Sequence, residues 1–553
     1  MNRPAPTTLG ATLRALPATL LLLLLAILSG SCGDDTSSIF EGERTFWATD
    51  FTIDNTYPVR ARPLAVGNHC YVYVEAGADV DAATARAVAS WFDDNVYLQL
   101  RGAFGEEPNP TGSVVIDNTP ATFRSVFVGD ADLDPKVYLL LLDIRDGFRP
   151  EVGAYTLGYF DGWNETEGAF GMPSNRKEIL FLDINPGDAR LRPDGSLPEE
   201  FRRTIAHEFQ HMIHWEQKVH RPLALASLAR NDDTWLNEAM SMVAPGYTGL
   251  GVDRAHVAIY ERFSPDSLVD WGGLSIDYAT AYAWGEFLRE HCGDDCYYDS
   301  GTISGRLSSA NVFRSILGND RVENEFTGIQ SVNKAFHSAA DNVFVFRLLF
   351  RNWSMASFYG NGTGAVAPPA APLVLPDNTV VTGPNLAYTL FDTWRTMPAG
   401  TWDIPTGTLE ILGLLNGYAP LNRATLPSLG PWAFSVNRFE TAVAPGTIRW
   451  IPVDKTHTAT LIRQDGTVVP FLPDNVAVSY DGRAWIIDRN DQSSVTIPSD
   501  NTASFAAGSR SPLSAASSDP GVALVRESTG RPYGVCVQSW LAERYRRLAF
   551  PTP

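Results

Sequence analysis

Apolar positions change their spacing twice along this 553-residue chain, and each change predicts a different kind of element. Up to about residue 185 they gather into short dense runs bounded by turn residues. These are "CYVYVEAG" from Cys70, "SVVIDN" from Ser113, "KVYLLLLDI" from Lys136 and "EILFLDI" from Glu178. Runs of this length, rich in valine, isoleucine, leucine and tyrosine, read as strands. Between the first two, "DVDAATARAVASWFDDNVYLQL" keeps helical spacing, so an α+β unit is expected over 48–185.

From Ser196 the spacing turns helical. In "SLPEEFRRTIAHEFQHMIHWEQK", Ile205, Phe209, Met212 and Ile213 form one apolar stripe. Ser196 and Glu199 stand at capping-box spacing, with Pro198 in the first turn. Further helices are predicted around "TWLNEAMSMVA", "DYATAYAWGEFLREHC" and "NVFVFRLLFRNWSMASF", giving a helical half over 186–360. Residues 361–376, rich in glycine, alanine and proline, read as a linker. Short strands then return in "TIRWIPV", "TATLIRQDGTVVPF" and "AVSYDGRAWIID". Asp465-Gly466 and Asp481-Gly482 are hairpin signals, and a β-sandwich-like C-terminal domain is expected over 377–553.

The N-terminus departs from this globular text. Arg3 and Arg14 precede an apolar run from Ala18 to Leu28 that is too short to span a bilayer. Small residues follow it, so 1–31 reads as a secretory signal. Cys32, directly after Ser29-Gly30-Ser31, resembles the lipidated first residue of a bacterial lipoprotein, although Leu28 stands four places before it. A plain signal peptide with an incidental cysteine is the alternative. Residues 32–47 are then a tether, and the protein is expected on the cell envelope or outside the cell. Four cysteines remain. Cys292 and Cys296 form the natural local disulfide pair, which leaves Cys70 with Cys536. A formal charge of −20 leaves no basic stripe to neutralise phosphates and excludes a nucleic-acid partner. A monomer is expected, touching the membrane only through Cys32.

Four of the nine histidines, His207, His211, His214 and His220, fall within one short stretch. On a helix His207 and His211 leave the same face one turn apart and can reach one metal. Glu208 is offset around the helix, suited to hold a water beside the metal; that is the logic of H-E-x-x-H. His214 cannot fold back to the same ion and reads as a solvated or packing residue. A catalytic zinc needs a third protein ligand. Glu238, in "DDTWLNEAMSM", is the candidate: Asp233 or Thr234 can cap a second helix, and Trp235, Leu236, Met240 and Met242 surround the carboxylate with apolar groups. Asp130, Asp132 and Asp134 stand at calcium-loop spacing but lack the loop's glycine and distant glutamate, so a solvated turn is expected.

At "AHEFQHMIHW" followed by "TWLNEAMSM" the chain resembles the hyicolysin-like metallopeptidases of the gluzincin branch, over roughly residues 65–355. The resemblance implies Zn2+ bound by His207, His211 and Glu238, with Glu208 as general base and acid in hydrolysis of protein or peptide substrates. It also implies a mixed sheet joined to a helical active-site half. Met242 stands where thermolysin-type gluzincins carry a histidine-orienting aspartate, so Ser241 or an outside residue must serve. Tyr278, slightly ahead of Tyr282, is a candidate donor to the oxyanion. "EILFLDI" is expected to pair with an extended substrate as an edge strand. The alternative is a catalytically lapsed surface lipoprotein that binds protein or glycan. A third reading, an unrelated exported binding protein, makes the H-E-x-x-H match accidental.

Overall fold

The computed structural model describes residues 42–107, 135–149, 154–165, 173–220, 232–263, 266–273, 275–291, 312–318, 326–335, 344–359 and 432–437, with short strands elsewhere. Strands β1 (Arg44–Asp50), β2 (Asn55–Val66) and β3 (Cys70–Glu75) open the chain. Helix α1 (Ala82–Trp91) runs through a π-helical turn into α2 (Leu98–Phe104). The two-residue strands β4 (Val114–Val115) and β5 (Val126–Phe127) pair with each other. Then come β6 (Val137–Leu142), β7 (Ala154–Phe160) and β8 (Ile179–Asp183). The helical half holds α3 (Glu199–Trp215), α4 (Thr234–Tyr247), α5 (Arg254–Phe263), α6 (Ser275–His291), α7 (Val312–Leu317), α8 (Gly328–Ala335) and α9 (Phe344–Tyr359), with the short ribbon β9 (Tyr298–Asp299) and β10 (Thr302–Ile303) after α6.

The main sheet has the order β1-β2-β3-β6-β8-β7-β19, where β19 is Tyr533–Cys536. β3, β6 and β8 run parallel, and β7 is antiparallel to β8. The three parallel strands are buried almost throughout, covered on both faces, which is why they read as unbroken apolar runs. The fold is therefore α+β, a mixed sheet with helices against it. β8 lies inside the sheet between β6 and β7, so the expected substrate edge at "EILFLDI" is corrected: β8 is paired on both sides, and β7 beyond it is paired in turn with β19.

Helix α3 begins at Glu199 with Pro198 as its N-cap, and Ser196 bonds Asp194 rather than closing a capping box. Glu199 and Glu200 in the first turn suit the positive end of the helix dipole. From Phe201 to His214 nearly every side chain is buried, so α3 is a central helix whose polar residues must find partners inside the protein. α4 packs on it, and α6 packs on α4 through Gly285. A Cβ there would stand 2.6 Å from the Ala239 carbonyl oxygen.

In the C-terminal part, β11 (Leu373–Val374) pairs with β12 (Val380–Val381), and β13 (Ala433–Asn437) is followed by β14 (Gly446–Arg449), β15 (His457–Arg463), β16 (Val468–Val469), β17 (Ala477–Tyr480) and β18 (Gly482–Arg489). β13, β18, β15 and β16 form one sheet, while β14 and β17 form a separate ribbon. Asp481 of the Asp481-Gly482 signal lies outside the described residues; the strands on either side of it, β17 and β18, have different partners. Apolar packing also continues across the expected linker. The Trp432 ring lies edge-on to Phe346 at 4.7 Å and Phe434 to Trp353 at 5.1 Å, tying these strands to α9.

Cys70 is a buried free thiol in β3, so the expected Cys70–Cys536 disulfide is corrected. β6, β8 and β7 separate β3 from β19, a distance of about 19 Å at ordinary strand spacing and far beyond disulfide reach. Cys32, Cys292, Cys296, Asp130, Asp132 and Asp134 lie outside the described residues. Among the described residues no helix is long and apolar enough to cross a membrane.

Candidate metal centre

α3 and α4 bring His207, His211 and Glu238 together at the buried crossing of the two helices. The helical i, i+4 spacing places the two Nε2 atoms 3.0 Å apart. Oε2 of Glu238 stands 3.3 Å from His207 Nε2 and 3.6 Å from His211 Nε2. Among the described residues this is the one group of three such side chains with ligand atoms close enough for a shared ion, all within 4.8 Å. Burial opposes charge on Glu238, yet the adjacent His211 and His207 rings hold its carboxyl down at about 2. Burial likewise opposes charge on His211, and the Glu238 carboxylate still raises it.

The ring of His211 is fixed from behind. Its Nδ1 lies 3.0 Å from Asn237 Oδ1 and 2.9 Å from Ser241 Oγ. The Ser241 hydroxyl itself donates to Gln210 Oε1, so it can accept from the ring. With acceptors on that side, the proton belongs on Nδ1, and Nε2 presents a lone pair to the triad. Ser241 therefore orients a histidine, as the Met242 substitution required, but it is the second one, His211. Asn237 and Gln210 were not foreseen; the one signal for Asn237 was its place beside Glu238.

Two imidazole lone pairs and a carboxylate facing one another repel unless a cation lies between them. The donor set, two nitrogens and one oxygen, suits zinc with one position left for water. Glu208 fits the same picture. It is fully buried, and neither of its oxygens has a hydrogen-bond partner among the described residues. β7 passes directly over it: a Cβ on Gly158 would meet Thr204 Cγ2 at 2.8 Å and Glu208 Cγ at 3.3 Å. The residues present therefore fit a zinc ion.

His214 is neither solvated nor in this group. It is buried, with Nε2 3.5 Å from Asp232 Oδ2, and burial keeps its pKa below the ordinary range. Tyr278 packs its ring edge-on to Trp271 at 4.9 Å. Tyr282 is engaged with the loop before α5, where its hydroxyl accepts the Asp253 N–H at 2.9 Å.

The chain is similar to the neutral metalloprotease ShpI of Staphylococcus hyicus, at 30% identity over 168 residues. That stretch is 29% of this chain and covers 36% of the relative's own length. No family model matches the chain.

Proposed function

We propose that this chain is a zinc endopeptidase of gluzincin type, exported, held on the cell envelope through a lipid on Cys32 and active as a monomer. The observation that carries the reading is the convergence of His207, His211 and Glu238 beside a buried Glu208 with no hydrogen-bond partner among the described residues. The similarity to a neutral metalloprotease supports it over part of the chain.

Bound at the triad, zinc would supply a water activated near neutral pH and a charge that polarises the scissile carbonyl. Glu208 then acts through its carboxylate oxygens, taking a proton from the attacking water and delivering it to the leaving amine. Its burial keeps bulk water from competing for that proton. Tyr278 is assigned the hydroxyl that meets the developing oxyanion. Asn237 and Ser241 hold His211 in the tautomer that binds.

Metal analysis and digestion of a casein-like protein test the proposal, wild type against Glu208→Gln. The wild type should carry zinc and cut. The variant should keep the zinc and lose about 100- to 10,000-fold in rate, the range for a lost general base. A zinc-free wild type as inert as the variant would overturn the enzyme reading. A variant that cuts as well as wild type would remove the role given to Glu208.

A further inference from the structure

At the metal centre, His211 is held by hydrogen bonds and Glu208 is not. Asn237 and Ser241 fix the His211 ring. Neither oxygen of the fully buried Glu208 has a hydrogen-bond partner among the described residues. The direction of that side chain is therefore left to packing. Its Cγ packs against bare backbone, at Gly158 of β7.

Gly158 has no positive φ, so space rather than conformation calls for a glycine here. A Cβ at this place would stand 2.8 Å from Thr204 Cγ2, 2.9 Å from the Phe181 carbonyl oxygen and 3.3 Å from Glu208 Cγ. The three neighbours differ in how far they can yield. Phe181 lies in β8, which is paired with β6 on one side and β7 on the other, so the sheet holds its carbonyl in place. Thr204 is held at its hydroxyl, which donates to the Glu200 carbonyl at 3.0 Å, and the β-branched side chain has few alternatives in a helix. Glu208 has no such hold. Its unbranched side chain can turn to another rotamer, and in doing so it carries its carboxylate away. Misplacing a reacting group by about 1 Å can cost about 100-fold in rate.

We propose that Gly158 is a positioning residue for Glu208: the bare β7 backbone sets the direction in which α3 carries that carboxylate. The catalytic meaning rests on the function proposed above. The packing contact does not.

The test begins with metal-free, full-length protein and needs no activity. Gly158→Ala is made in the wild type and in Glu208→Ala, and urea unfolding is followed for all four proteins. Residues in contact show non-additive costs. Gly158→Ala should therefore raise the unfolding constant about tenfold more when Glu208 is present than when it is alanine. An equal cost in the two backgrounds overturns the proposal. Zinc-loaded protein is then assayed for kcat and KM on casein peptides, with zinc affinity measured by competition against a chelator. Gly158→Ala should lower kcat by about 100-fold while KM and zinc affinity change by less than about threefold. In a Glu208→Gln background it should cost nothing further, since the carboxylate is already gone. A loss of zinc affinity as large as the loss in kcat would make Gly158 a spacer between α3 and the sheet, and overturns the proposal. Should Gly158→Ala lose its circular dichroism, Thr204→Ser is added, which removes the nearest methyl and keeps the hydroxyl; Thr204→Ser alone is then the reference. If that pair does not fold either, Gly158 serves the fold itself and the proposal is overturned. Coupling in an inert wild type removes the enzyme and with it the positioning role. Cleavage without coupling, or without the loss in kcat, removes the positioning role alone.

Discussion

Two buried polar clusters lie along α3 and the π-helical turn that follows it, and they are built on opposite principles. Beyond the end of α3, Lys218 donates to the Phe326 carbonyl at 2.9 Å and Ser331 Oγ at 2.8 Å, and lies 3.3 Å from Asp232 Oδ2. Asp232 Oδ1 takes the Gly328 N–H at 2.6 Å. Cation, anion and donors are all supplied by the chain, and the cluster closes on itself. About two turns back, His207, His211, Glu208 and Glu238 bring two imidazoles and two carboxylates to a common point, with no lysine or arginine among them. A closed cluster holds the fold; an open one of this kind asks for a cation from outside. That contrast separates His214 from His207 and His211, although all three are buried on one helix.

The contrast can be broken most forcefully at Lys218. Lys218→Met leaves Asp232 buried without its cation, against which Lys218 now holds its pKa low despite burial. Breaking a buried pair from one side costs about 3–5 kcal/mol. Urea unfolding of metal-free protein should show a loss of that size. A loss below about 1 kcal/mol would mean that the cluster is not closed in the sense argued here.

Glu238→Gln acts on both states. It removes the carboxylate that the His211 and His207 rings hold ionised, so metal-free stability should fall, by less than at Lys218, and zinc affinity should fall further. Replacing a group that merely orients a metal ligand costs about 10–100-fold in affinity, and a ligand itself should cost at least about 100-fold. Competition against a chelator measures it; unchanged zinc affinity would take Glu238 out of the site. Ser241→Ala sharpens the same point at smaller amplitude. It should weaken zinc by about 10–100-fold by loosening the His211 ring, with little change in metal-free stability.

How much of this was legible follows from the range of the interactions. β3, β6 and β8 were legible because burial on both faces writes an apolar run into each. β2 was not, since Pro58 and Pro63 interrupt its alternation, and neither was β7, "AYTLGYF", where the close approach to α3 calls for Gly158. His207, His211 and Glu208 are local to one helix and follow from spacing alone. Glu238 was legible through its apolar neighbours. The anchors Asn237 and Gln210, the partner of His214 and the free thiol of Cys70 depend on strand order and helix packing, which no local pattern carries.

A third polar cluster, half-buried on the other flank of α3, tests whether closure is the deciding property. Asp253 Oδ2 lies 3.0 Å from His256 Nδ1, and its backbone N–H is donated to the Tyr282 hydroxyl. Arg203, one turn before His207, donates to Glu199 and to the Gly251 carbonyl. Burial opposes the charge on Asp253, but His256 and Arg203 hold its carboxyl well below the ordinary range. A folded-state pKa that is depressed contributes stability above the unfolded value, about 3.9, and that stability is lost as pH falls through the folded value. Asp253→Asn should therefore cost about 1–3 kcal/mol at pH 6, and the gap to wild type should shrink steadily below about pH 4. Unfolding of metal-free protein at pH 6 and pH 2.5 measures both. Zinc affinity should stay where it is, since this cluster already contains its own cation, Arg203. A variant that loses zinc as readily as stability would show that the flank and the centre are one system, and closure alone would no longer distinguish them.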